Sequence, residues 1–118
     1  MPDFTIYHNP QCSTSCQAME LLREHGIEPV VVEYLSEVPT EDELIKLVAK
    51  LGLPAEQLVR KKEPLYKEKY QGLRLNEHEW IRVLHENPVL IERPVVVRDY
   101  KAVIGRPMEN VQDLIDRK

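Results

Sequence analysis

Three patterned segments at the N-terminus decide what kind of sheet this chain can build. From Asp3 to His8, apolar and polar residues alternate around Phe4 and Ile6, the period-two pattern of a strand. Asn9-Pro10-Gln11 breaks that pattern. From about Ser13 to His25, the residues Met19, Leu21 and Leu22 then follow helical spacing until Gly26 stops it. The run Val30-Val31-Val32-Glu33-Tyr34-Leu35 follows and reads as a second, buried strand. A helix joining two strands of one sheet makes a right-handed crossover, so the second strand is expected to lie parallel to the first. The chain therefore opens with a βαβ unit.

The remainder extends this start. Thr40, with Glu43 three residues later, forms a capping-box pattern ahead of Leu44, Ile45, Leu47, Val48 and Leu51, which predicts another helix. Pro54 to Arg74 is charged and reads as irregular. Asn76 to Glu86, carrying Trp80, Ile81, Val83 and Leu84, regains helical spacing before Asn87-Pro88 ends it. Residues from about 40 to 90 are thus expected to form a helical insert. Pro94-Val95-Val96-Val97, a polar break at Asp99-Tyr100, and Ala102-Val103-Ile104-Gly105 give a hairpin pattern, and Glu109 to Asp116 a closing helix. The order predicts an α/β fold: a mixed four-stranded sheet flanked by helices, with the insert between a βαβ half and a ββα half.

At 118 residues, 42% of them hydrophobic and 31% charged, the chain is expected to form a single domain spanning 1–118. No run approaches the roughly 18 apolar residues of a membrane span. Met1-Pro2-Asp3 lacks the basic start and apolar stretch of a signal peptide, so a cytoplasmic location is expected. A formal net charge of −4 argues against nucleic-acid or membrane partners held by bulk electrostatics. Two cysteines are too few for a disulfide framework and point to catalytic, redox-active or buried thiols. Cationic side chains could still gather locally around a small anion: the run Arg60-Lys61-Lys62 and the later Arg93, Arg98 and Arg106 are candidates.

Cys12 stands between the first strand and the first helix. There, unpaired backbone N–H groups and the positive end of the helix dipole favour thiolate over thiol. The amides of Ser13 to Cys16 would also suit an oxyanion, so nucleophile and anion cradle could coincide. His8 could supply a proton or positive charge to the sulfur, and Ser15 a hydrogen bond. The alternative is that Cys12 is a small buried hydrophobe, against its polar neighbours Asn9, Gln11 and Ser13.

The words around this cysteine are distinctive. Tyr7-His8-Asn9-Pro10-x-Cys12-Ser13-x-Ser15 resembles the active-site segment of the glutaredoxin-coupled, ArsC-type arsenate reductases. The likeness continues through Glu33-Tyr34-Leu35, Leu58-Val59-Arg60, Ile91-Glu92-Arg93-Pro94-Val95-Val96-Val97 and Ile104-Gly105-Arg106-Pro107, in the same order along nearly the whole chain. The resemblance implies a thioredoxin-like fold. It implies arsenate or a similar small oxyanion as substrate, held by Arg60, Arg93 and Arg106, and Cys12 as the thiol that forms the arsenate adduct. It also implies glutathione as co-substrate with no bound cofactor, glutaredoxin as partner protein, and a cis bond before Pro94 facing Cys12; a monomer is the expected state, although the sequence leaves self-association open. Arginine suits the task because its planar fork gives several hydrogen bonds to a tetrahedral oxyanion and keeps its charge, although any one of the three alone would read as a solvated surface group.

Cys16 departs from the family, which more often has arginine there. The departure removes a positive charge near Cys12 and creates a C-x3-C pair one helical turn apart, so Cys16 reads either as a redox partner of Cys12 or as an ordinary helix cysteine. Two other functions remain open: a redox-sensing transcription regulator of the Spx type, which carries C-x-x-C instead, and a general thiol-disulfide oxidoreductase using Cys12 and Cys16. No arginine near Gln17, Ala18 and Met19 closes a C-x5-R loop, which rules out the phosphatase-like type of arsenate reductase. His25, His78 and His85 show no zinc-ligand spacing, so no metal is expected, and no glycine-rich phosphate loop is present.

Overall fold

The computed structural model describes residues 3–117. The elements in chain order are β1 (Phe4–Tyr7), α1 (Ser13–Glu24), β2 (Val30–Val32), α2 (Glu41–Leu51), α3 (Pro64–Lys69), α4 (Glu77–Glu86), β3 (Val95–Arg98), β4 (Lys101–Ile104) and α5 (Glu109–Asp116). Two compact units emerge: one comprises Met1–Glu37 and Arg93–Lys118, the other Val38–Glu92.

The first unit holds the sheet, in the order β2-β1-β3-β4. β1 runs parallel to β2 and antiparallel to β3, with Ile6 opposite Val31 on one side and Val96 on the other. β4 completes the hairpin, pairing Val96 with Val103. Because side chains alternate along a strand, Phe4, Ile6 and Val96 share one face. There they meet Ala18, Met19 and Leu22 of α1 and Val111 and Leu114 of α5 in one apolar cluster. Arg98 closes the far end of α5: its Nη1 donates to the carbonyls of Leu114 and Ile115, both at 2.9 Å, which satisfies acceptors a helix C-terminus leaves unpaired. Its guanidinium also lies over the Phe4 ring, 5.5 Å from the centroid. Arg98 is therefore a structural cation, not one of those gathered near the thiol.

The second unit is built on two capped helices. Thr40 and Glu43 form a reciprocal capping box on α2, with bonds of 3.1 and 3.0 Å, and Gly52 ends the helix in the left-handed region at φ 68°. Asn76 and Glu79 repeat the device on α4. Trp80, 2% exposed, stacks on Tyr66 of α3 with ring centroids 6.4 Å apart. Val59 and Ile91 form an isolated antiparallel bridge, beside which the Arg60 amide donates to the Leu90 carbonyl at 2.6 Å.

Two sequence expectations need correction. The run from Val30 to Leu35 is not a buried strand: only Val30–Val32 is extended, at the edge of the sheet, with Val30 64% exposed. A strand with one neighbour has no second partner to cover it, and from Glu33 the chain turns, leaving Tyr34 as the buried residue of that segment. Pro54 to Arg74 is not irregular throughout. It contains a 3-10 turn at Ala55–Leu58 and the short α3, whose Pro64 presets helical backbone at the first position and whose Tyr66 is buried. Among the described residues, no helix is long and apolar enough to cross a membrane.

Candidate active site

Asn9 shapes the turn that delivers the thiol. Its side-chain oxygen accepts from the Gln11 amide at 2.9 Å and its carbonyl from the Cys12 amide at 3.0 Å, an Asx turn that ends β1 and starts α1. Cys12 becomes the N-cap of α1, in extended backbone at φ −103°, ψ 120°. No acidic residue occupies the first helical turn to oppose a negative sulfur. The Cys16 amide makes the first helical bond, to the Cys12 carbonyl at 3.0 Å. The expectation that this amide helps cradle an anion is thereby corrected, and the amides left to act on the sulfur or a ligand are those before it.

Cys12 is 8% exposed, a residue largely screened from bulk water but not wholly covered. Burial pushes its pKa up, but the Ser15 amide, the hydrogen bond and charge of Arg93, and the Thr14 amide together outweigh burial and lower it below the ordinary thiol value of 9.0. A second guanidinium also reaches the sulfur: Arg106 Nη2 donates to Cys12 Sγ at 3.4 Å, while its Nε donates to the Arg93 carbonyl at 2.8 Å. Arg93 and Arg106 are thus tied to each other and to the thiol. The Nε–H of Arg93 is buried and has no acceptor among the described residues.

His8 and Ser15 meet one another rather than the sulfur. His8 Nδ1 and Ser15 Oγ are 2.6 Å apart, and Ser15, fully buried, also accepts from the Asn9 amide at 3.1 Å. The His8 pKa is lowered, chiefly by burial against the opposing pull of Glu33, with Arg23 adding to the lowering, which favours the uncharged ring. The expected direct charge from His8 and hydrogen bond from the Ser15 hydroxyl to the sulfur are replaced by a pair that fixes the Asn9 turn. Ser15 acts on the sulfur through its backbone N–H instead.

Arg60 belongs to the second unit, where its Nε pairs with Glu63 at 3.4 Å. Cys16 is a free thiol of intermediate exposure. The peptide bond before Pro94 is cis, as the resemblance implies, and so is that before Pro107, which the sequence reading missed although the same Arg-Pro dipeptide stands at both places.

Residues 7–114 match the ArsC family. This chain belongs to it. An arsenate reductase of Neisseria meningitidis is 42% identical over 119 residues, covering 98% of this chain and 100% of its own length. The uncharacterized protein YfgD of Escherichia coli is 45% identical over 112 residues, covering 93% of this chain and 94% of its own. The structure of an arsenate reductase from Vibrio cholerae superposes with a TM-score of 0.90 at 41% identity, over 95% of this chain and 97% of that one. The fold is the thioredoxin-like one of ArsC proteins. Gly105 is a further ArsC-motif residue whose role the sequence did not reveal. Its amide donates to the Pro94 carbonyl at 2.8 Å, and a Cβ placed on it would come within 2.8 Å of the Pro94 ring. Only glycine lets the segments carrying Arg93 and Arg106 approach so closely.

Proposed function

We propose that this ArsC protein reduces arsenate to arsenite. One observation carries the reading: Cys12, whose pKa is lowered, sits at a helix mouth beside two linked arginines, and one of them holds a buried N–H with no acceptor among the described residues. A buried donor without a partner costs free energy, and an oxyanion oxygen would satisfy it. The relatives named arsenate reductase, about as similar over nearly the whole chain, support arsenate as that oxyanion.

In this reading the Cys12 thiolate attacks arsenic(V) and a water leaves, forming a thiol–arsenate adduct. Arg93 and Arg106 neutralise charge on the arsenate oxygens, and the family pattern adds Arg60 to the binding set. Glutathione then takes the adduct forward and glutaredoxin completes the reduction, with two thiol electrons passing to arsenic. The resemblance supports this choice of reductant. Arsenate turnover with glutathione and glutaredoxin, measured for the native chain and for Cys12→Ser, tests the reading. The variant is expected to be inactive, and equal rates would end the proposal.

A further inference from the structure

α1 carries a second sulfur one helical turn from the first. Cys16 lies one turn below Cys12, its amide bonded to the Cys12 carbonyl at 3.0 Å, which on a regular helix spans about 6 Å along the axis. That separation falls inside the Cα range of roughly 4.4–6.8 Å that disulfides require. Helical side chains lean toward the N-terminus, and the Cys16 thiol does so: its Sγ donates to the carbonyl of Pro10, at 3.5 Å, in the loop that delivers Cys12. The bond is weak and Cys16 is of intermediate exposure, so a turn about a single side-chain torsion frees the sulfur. Both thiols are reduced in the structure.

We infer that Cys16 is a catalytic residue that resolves the arsenate adduct within the chain, in place of the first external thiol. The inference rests on the arsenate-reductase reading above. The Cys16 thiolate attacks Cys12 Sγ of the adduct. The S–S bond forms as the S–As bond breaks, and the electron pair of that bond stays on arsenic, reducing it from arsenic(V) to arsenic(III). The proton lost by Cys16 goes to the departing arsenite oxygen. The Cys12–Cys16 disulfide left behind is reopened by two equivalents of thiol or by one dithiol, so arsenate and two thiols give arsenite, a disulfide and water. Attack on Cys12 sulfur is favoured because the arsenic leaving group carries away the charge that Arg93 and Arg106 already neutralise.

The test is a single turnover of the fully reduced, full-length protein with arsenate and no added thiol, followed by intact-mass analysis and arsenite quantification. The native chain should release close to one arsenite per molecule and lose 2 hydrogen masses, about 2 Da, with Cys12 and Cys16 recovered in one linked peptide. Cys16→Ser and Cys16→Ala should release arsenite only after glutathione is added. If the native chain also waits for glutathione, or if its linked peptide is absent, Cys16 has no such role. If neither the native chain nor the Cys16 variants yield arsenite with glutathione and glutaredoxin present, the underlying arsenate-reductase reading fails instead.

Discussion

Arg106 reaches the Cys12 sulfur with one nitrogen and the Arg93 carbonyl with another, so its replacement removes both a donor at the reaction centre and the tether between two arginines. A hydrogen bond to a charged group is worth roughly 1.5–3 kcal/mol, so Arg93→Ala and Arg106→Ala should each lower kcat/KM for arsenate about tenfold to a hundredfold. Arg60→Ala should raise KM in the same assay; an unchanged KM would remove Arg60 from the binding set. The thiol itself gives a pH-dependent readout. Because the Cys12 pKa is lowered in the fold, alkylation by iodoacetamide should reach half its maximal rate below pH 9.0, and Arg93→Ala should move that midpoint upward. The linked stability term has a definite sign: it is absent below the folded-state pKa, grows as the thiol ionises, and is complete above the ordinary value near 9.0. At this scale the sequence showed Cys12 plainly, because a cysteine between a strand and a helix is placed by the turn alone. It could not show which way His8 and Ser15 point, since both lie within reach of the sulfur and a 2.6 Å hydrogen bond between them settles the matter only in three dimensions.

The longer helices were legible: Thr40 with Glu43 set the start of α2, and the closing helix, uncapped by any side chain, fell on Glu109–Asp116 as its apolar spacing implies. The short elements were not, because α3 has only six residues and takes its stability from Tyr66 against Trp80 rather than from periodicity within its own sequence. β2 misled for the opposite reason: a continuous apolar run is the same in sequence whether a strand is covered or lies at an edge. Where β4 leads into α5, Gly105 packs against the Pro94 ring and within 3.2 Å of Val111 Cγ2 for an added Cβ. Gly105→Ala should therefore destabilise the protein by about 1–3 kcal/mol, as overpacking typically does. It should also raise the Cys12 alkylation midpoint by displacing Arg93. Urea denaturation and thiol titration on the same variant check both effects, and a normal stability with normal reactivity would contradict the tight fit.

The unit that holds the thiol is discontinuous. β1 lies between β2, about 25 residues downstream, and β3, whose Val96 pairs with Ile6 ninety positions later, and the apolar cluster beneath β1 needs α5 as well as α1. The alternation of apolar texture revealed this order but not its dependence, because strand pairing across the insert follows from register rather than from any local signal. A fragment ending at Glu92 lacks β3, β4, α5, Arg93 and Arg106. Its Cys12 should alkylate like an ordinary cysteine, with a midpoint near 9.0 and no protection by arsenate. A fragment thiol that titrated as in the full chain would show that α1 alone activates it. The same wiring bears on synthesis: Cys12 leaves the ribosome well before the strand and guanidinium groups that arm it. A nascent chain in which β3, Arg93 and Arg106 have yet to emerge thus carries an unarmed sulfur, and the nucleophile is switched on by the later arrival of its own downstream segment.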